Sequence, residues 1–503
     1  MRAAPPEAPP AGAASRSALP AGRAAAPRIA AALVVVLLLL VVVRLPWAGD
    51  LGMHAATIQR LRHNLLHPGN PLVAADTPSP YYSPWMLLLG CVADASGLSV
   101  FVVLRLAALT GLALLVTGVW RYVRTLCAHR AAPAVAALSL VLLWGTSLIN
   151  WSGFLALNSL ALTVSYPSVL ALGLAFHLWT WVTRAVRAGA GWGSWLGIGA
   201  LWAVVLLCHQ FTGIVATLGA LAAVLSARPP RTLWPRLGAA AALGLLVLAL
   251  WPYYDFFALF WAGGDLEEVH RALYEHFLGR YWLALLGVGA LALRARRDRR
   301  DPLAVFFALG ALVCAAGWAS GHYSWGRALP AALIPAQLAA ALAVFEGGRR
   351  AVRVRWAWTL AAALALGAWA QAGVLGYVVG RDALPEPLAV HYTPPWAGYH
   401  WITPYVRYGQ VVMARTFPAR LVPAYGVYTV APGYPDFFLP DEARRDAAVD
   451  RYFARSTPGG ERRHILREYG VRWVLDRGRT VRDGGLHAVA HGPDGEVLYA
   501  VLR

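Results

Sequence analysis

The chain has 503 residues, 58% of them hydrophobic and only 14% charged, with a mean hydropathy of +0.52. A water-soluble domain carries roughly a quarter charged residues, so an ordinary soluble protein is excluded and most of the chain belongs in lipid. The net charge of +19 is all arginine, because the sequence holds no lysine, and the arginines cluster between apolar runs, which speaks against nucleic acid as a partner.

In chain order, residues 1–28 are rich in Ala, Pro and Arg and read as a disordered cytoplasmic tail. The apolar run Ile29 to Val43 lacks a small-residue cleavage site before Arg44 and Pro46, so it is predicted to be an uncleaved first span. The sequence predicts a polytopic α-helical membrane domain over 29–379. About eleven transmembrane helices are placed at 29–46, 99–120, 131–149, 166–183, 194–208, 210–226, 237–254, 279–294, 302–320, 328–345 and 356–379. The boundary at Cys208 and His209 is the least marked of these, since little polar sequence separates the two runs.

Arginine supplies the topology. Arg121, Arg124 and Arg130 fall in one connection, Arg184 and Arg187 in another, and Arg228, Arg231 and Arg236 in a third. Arg294 to Arg300 and Arg349 to Arg355 hold two more clusters. These are alternate connections, on the side of the N-terminal tail, which is the positive-inside pattern. The apolar stretch Ser83 to Ala95 would break that alternation as a span, so it is predicted to lie on the outer face as an interfacial or re-entrant helix. Trp47, Trp85, Trp151, Trp251 and Trp282 fall near the outer boundary, as an aromatic belt would. Four scattered cysteines have no metal-ligand spacing.

The outer connections hold the polar chemistry. The first, 47–98, contains an amphipathic helix from Leu51 to Leu66, with Asp50 as its candidate N-cap. After the last span, residues 380–503 are expected to form a small extracytoplasmic α/β domain. Its strands are predicted at 424–430, 471–476, 486–490 and 497–502, around a helical stretch at 441–470.

Asp50 follows the first span at the outer face, with His54 one helical turn later on the same side. A carboxylate there is placed to serve as general base toward an acceptor hydroxyl arriving from water; the plainer reading is that it only caps the helix and that His54 is a surface residue. Arg327, between two apolar runs, is a candidate phosphate grip because a guanidinium forks onto phosphate and keeps its charge. Arg280 is a second candidate, with non-specific headgroup binding as its alternative. Glu267, Glu268 and His270, in the outer loop 253–280, are candidates for binding an acceptor or a metal, and an exposed acidic loop is the simpler explanation. His322 lies in the short outer segment His322 to Arg327, and His209 reads as a hydrogen-bonded buried histidine.

An Asp just after the first span, a helical outer loop and the patch Tyr81-Tyr82-Ser83-Pro84-Trp85 together resemble the first outer loop of GT-C superfamily glycosyltransferases. That superfamily includes protein O-mannosyltransferases, aminoarabinose transferases and actinobacterial arabinosyl- and mannosyltransferases. Trp325-Gly-Arg327-Ala-Leu-Pro330 is similar to a late Gly-Arg element of such proteins, and Leu466 to Leu475 is similar to a segment of their C-terminal domains. The resemblance implies an inverting transfer from a polyprenyl-phosphate sugar to an extracytoplasmic glycan or protein acceptor. Asp50 would be the base, Arg327 would meet the donor phosphate, and Tyr81 and Tyr82 would lie on the substrate side. A divalent cation is a conceivable cofactor. Many members carry a second acid in the next outer loop, whereas residues 150–165 have none, so either Asp76 or the loop 253–280 supplies it or catalysis has been lost. The expected location is the cell membrane, multi-pass, among membrane lipids. Rival expectations are a non-catalytic relative that binds a glycolipid or scaffolds envelope assembly, and a transporter. Transport is disfavoured by the scarcity of intramembrane charge.

Overall fold

The computed structural model describes residues 21–261, 265–346, 349–477 and 485–502. Among these, eight helices are long and apolar enough to cross a membrane. The number is nine if Arg350–Ala370 and Ala372–Val379, bent by 52° at Gln371, count as one broken span. Two further predicted spans correspond to shorter apolar helices, Ala132–Leu142 and Trp192–Cys208. The first of these stops early because the chain unwinds from Leu143 against the 279–284 segment. There the amides of Thr146 and Ser147 donate to the Gly279 carbonyl, and that of Leu283 donates to Trp144. Buried backbone outside a helix is tolerated where its polar groups are satisfied in this way.

The first helix, α1 (Ala21–Arg44), starts before the predicted span, so residues 21–28 of the expected tail are helical; residues 1–20 lie outside the described residues. Arg105 donates to the Val43 carbonyl near the C-terminal end of α1, where orphan carbonyls favour a cation. The chain then turns through Leu45 and Gly49, both at positive φ, into α2 (Leu51–His63). Helix α3 (Pro84–Ser96) is capped by Ser83, whose hydroxyl accepts from the Met86 amide, and ends at Gly97 in the left-handed region. His209 explains the boundary that the sequence leaves faint. Its extended backbone breaks the chain between Trp192–Cys208 and Gln210–Ala227, and its Nδ1 accepts from the Thr212 amide as an N-cap.

At the arginine-rich face, Arg294 pairs with Asp301 at 2.7 Å and with Glu346, tying two connections together. The tryptophans are less of a belt than predicted. Trp47 packs against Phe101 and Tyr425, Trp151 against an arginine, and Trp251 donates to the Tyr82 carbonyl, while Trp282 stays exposed. All four cysteines are free.

The C-terminal part carries a five-stranded sheet: β1 (Val411–Met413), β2 (Tyr428–Thr429), β3 (Val471–Arg477), β4 (Leu486–His491) and β5 (Glu496–Val501), in the order β2-β1-β3-β5-β4. β1 is parallel to β2 and β3, and β5 is antiparallel to β3 and β4. Helices Glu442–Phe453 and Gly459–Glu468 cover it through Val449, Tyr452, Phe453, Ile465 and Leu466.

This sheet is built onto the first outer loop. Val73 bridges Thr429 in parallel, and the Thr429 amide donates to Leu72. Arg60 of α2, fully buried, donates to the carbonyls of Pro71 (3.2 Å), Gly426 (2.9 Å) and Val427 (2.5 Å), with its guanidinium 3.6 Å from the Tyr428 ring centre. A Cβ on Gly52 would collide with the Arg420 carbonyl, so the close approach of α2 to the C-terminal part needs glycine there. Helix α2 is therefore buried over most of its length, between the bundle and the sheet domain.

Candidate active site at the first outer loop

Asp50 occupies the N-cap position of α2, yet its side chain makes no capping hydrogen bond. Among the described residues its carboxylate forms no ion pair either. The backbone around it is held instead by two tyrosines: Tyr434 donates to the Gly49 carbonyl at 2.7 Å, and Tyr166 donates to that of Ala48. Asp50 is half-buried but deeply surrounded, and desolvation raises its pKa, opposed by the positive charges of Arg327 and then Arg420.

His54 lies one turn along and is 5% exposed, so it is not a surface residue. Its ring stands edge-on to Tyr166 at 4.6 Å and to Tyr81 at 6.0 Å. Burial lowers its pKa to about 3, which keeps the imidazole neutral, and its buried Nδ1 has no partner. Tyr81 is half-buried beside them, its phenol pushed above the usual range by desolvation and then by the Asp50 charge.

Arg327 enters from the 3-10 turn Tyr323–Ala328, which leads into Pro330–Ala343. It is 6% exposed, donates from Nη2 to Ser152 Oγ at 2.9 Å, and lies over Phe211 (4.6 Å) and Trp151 (5.3 Å). Its Nε is buried without a partner. A buried guanidinium with an unused donor, and an imidazole nitrogen and a carboxylate equally unused, would each be costly unless a ligand completes them.

The other expected site residues take different places. Glu267 accepts from the Ser324 amide and hydroxyl, both at 2.7 Å, so it fastens the turn that carries Arg327. Arg280 donates to the carbonyls of Ala272 and Glu275 and closes its own loop. Tyr82 is buried and donates to the Gly69 carbonyl at 2.7 Å, facing away from Tyr81 as neighbours in a turn do. His322 is exposed and pairs with Ser320 Oγ at 2.9 Å. His270 is buried against Trp151 and Phe211, behind the rings that flank Arg327, and Glu268 is exposed in a pair with Arg271.

Of the expected sources of a second acid, Asp255 caps its own turn at Phe257 and Ala258, Glu267 holds Ser324, and Asp76 makes no side-chain hydrogen bond or ion pair among the described residues. Another carboxylate whose charge reaches Tyr81 is Asp436 of the C-terminal part, fixed by Asn70 Nδ2 at 2.7 Å and by the Phe438 amide. Among the described residues no group of three or more His, Cys, Asp or Glu is placed to hold a metal. One carboxylate flanked by two guanidiniums is a donor set that fits an anion better than a divalent cation.

Residues 416–438 add what sequence reasoning did not single out: Arg420, whose guanidinium lies 5.0 Å from the Tyr434 ring centre, and Tyr434 itself. Tyr166 was missed as well. None stands in a motif, and only the fold brings them to Asp50.

No protein-family model matches the chain, and no curated protein matches it. Solved structures do. ArnT from Cupriavidus metallidurans in its apo state matches with a TM-score of 0.58 at 15% identity, over 95% of this chain and 98% of that one. ArnT bound to undecaprenyl phosphate matches with a TM-score of 0.55 at 15% identity, over 96% and 98%. The mycobacterial arabinofuranosyltransferase AftD matches with a TM-score of 0.56 at 17% identity. That match covers 95% of this chain, which spans only 40% of the AftD chain. The chain thus has the fold of the GT-C glycosyltransferases, with a helical membrane domain and a small C-terminal sheet domain.

Proposed function

We propose that this protein is a membrane glycosyltransferase that moves a sugar from a polyprenyl-phosphate donor to a glycan or protein acceptor on the extracytoplasmic side. The observation that carries the proposal is the free Asp50 carboxylate within electrostatic reach of a buried, incompletely partnered Arg327. The fold shared with ArnT, a protein solved with undecaprenyl phosphate bound, supports the class of donor.

In the proposed step Asp50 accepts the proton of the acceptor hydroxyl while that oxygen forms a bond to the anomeric carbon. The bond from that carbon to the phosphate oxygen breaks, its electron pair leaves with the phosphate, and the configuration inverts. The donor phosphate carries one negative charge and the departing polyprenyl phosphate gains a second. A guanidinium at that place therefore holds the transition state more tightly than the ground state. The raised pKa of Asp50 suits a group that must take up a proton near neutral pH. Neutral His54 can accept a hydrogen bond from a sugar hydroxyl through its unused Nδ1. No step is routed through a metal.

The test is transfer from a radiolabelled polyprenyl-phosphate sugar in proteoliposomes. Asp50→Asn is expected to lower turnover by about 10²–10⁴-fold with little change in donor KM. Arg327→Gln is expected to raise donor KM and also lower turnover. Full turnover in Asp50→Asn would remove Asp50 from the mechanism and leave a non-catalytic glycolipid-binding relative as the better account.

A further inference from the structure

Two cations face Asp50, and they come from different parts of the chain. Arg327 belongs to the bundle, at the head of the helix Pro330–Ala343. Arg420 belongs to the C-terminal part, and its backbone packs on the first turn of α2 at Gly52, two residues past Asp50. Its Nε is spent on the Gly433 carbonyl at 2.6 Å, and its guanidinium lies over Tyr434, whose hydroxyl is bonded to Gly49 beside Asp50. Among the described residues Nη1 and Nη2 have no hydrogen-bond partner and no carboxylate within ion-pair distance, although the Asp50 charge is felt. Elsewhere in the same domain, Arg415, Arg444, Arg445 and Arg451 all have acidic partners. A fork oriented by its Nε and its stacked ring, with the outer nitrogens left open, is the arrangement that receives a bidentate anion.

Building on the proposed function, we infer that Arg420 and Tyr434 form a second anion subsite, on the aqueous side of Asp50, that selects an acceptor carrying a carboxylate or phosphate group near its reacting hydroxyl. One guanidinium would then hold the leaving phosphate from the membrane side and the other would align the acceptor from the water side, with the base between them. Aligning the acceptor against a fixed base is where a remote charge pair contributes to rate. Arg420 touches the acceptor and not the reacting bond, so its effect is on acceptor recognition.

The test uses the full chain in nanodiscs, first titrated with undecaprenyl phosphate and then, at saturation, with glucose, glucuronate and glucose 6-phosphate as probes, binding being read by isothermal calorimetry. The expected result is that one or both charged sugars bind at least about tenfold tighter than glucose, and which one does so tells carboxylate from phosphate. Arg420→Gln is expected to abolish that preference while undecaprenyl phosphate binding changes less than about twofold. Arg420→Lys, which keeps the charge and loses the fork, should retain part of the preference, which a mere folding defect would not produce. Equal binding of all three sugars by the unmodified protein would overturn the inference. So would a loss of undecaprenyl phosphate affinity in Arg420→Gln as large as that in Arg327→Gln, since both arginines would then hold one phosphate. If undecaprenyl phosphate itself fails to bind, it is the proposed function that falls, and the sugar titrations alone still judge the subsite.

Discussion

Asp50 is held where its ionised form is poorly solvated, and stability and activity therefore pull in opposite directions at this residue. A carboxyl whose folded pKa is raised contributes stability that is complete below its unfolded pKa and is lost as pH rises through the folded value. At neutral pH the charge is a cost, so Asp50→Asn should raise the melting temperature in detergent by a few degrees, equivalent to about 1 kcal/mol, while it removes transfer. A fall in melting temperature would mean that the carboxylate has a structural partner. His54 works in the other sense. Its folded pKa is lowered to about 3, so its contribution is complete above about pH 6.5 and is lost as pH falls toward 3. The stability of wild type should therefore decline across that window more steeply than that of His54→Gln, as thermal unfolding at stepped pH would record.

At the scale of elements, the 3-10 turn Tyr323–Ala328 aims Arg327, and Glu267 locks the turn through both its oxygens. Glu267→Ala should raise the Kd for undecaprenyl phosphate several-fold by loosening the turn, and Glu267→Gln, which keeps one acceptor, should fall between; equal affinities in all three would show that the turn holds itself. The same comparison shows how far sequence reasoning reaches. Long spans, the α3 helix with its Ser83 cap, and the placement of Asp50 at the start of a loop helix follow from periodicity and capping rules, because those depend on near neighbours. Glu267 looked like a ligand because its partner, Ser324, is 57 residues away. Strand β1, three residues long, is set by its neighbours in the sheet and has no local pattern of its own. Arg60 is buried because carbonyls of the distant C-terminal part close over it, and His54, whose plainer reading is a surface residue, is buried against Tyr81 and Tyr166.

For the whole molecule, the arginine pattern predicts an extracytoplasmic C-terminal domain, and labelling tests it. A cysteine introduced at exposed Asp494, in a background lacking the four native cysteines, should react with a membrane-impermeant maleimide in intact cells; labelling only after lysis would invert the topology. Arg60 is one of the links between the domain and α2, and its loss would leave the Pro71 and Val427 carbonyls unpaired, the Gly426 carbonyl keeping the Gly409 amide. Arg60→Met should cost about 3–5 kcal/mol and expose residues 420–440 to protease, whereas protection unchanged from wild type would make the clasp dispensable.

That clasp also bears on how the molecule is made. Helix α2 emerges early in synthesis, but the residues that enclose it, from Arg420 to Asp436, leave the ribosome some 370 residues later. Until the final stretch has been translocated and has closed over the loop, the base and its neighbours stay apart. On the proposed function, a chain stalled before residue 420 would insert its bundle into the bilayer and remain inert, because Arg420, Tyr434 and Asp436 would not yet stand beside α2.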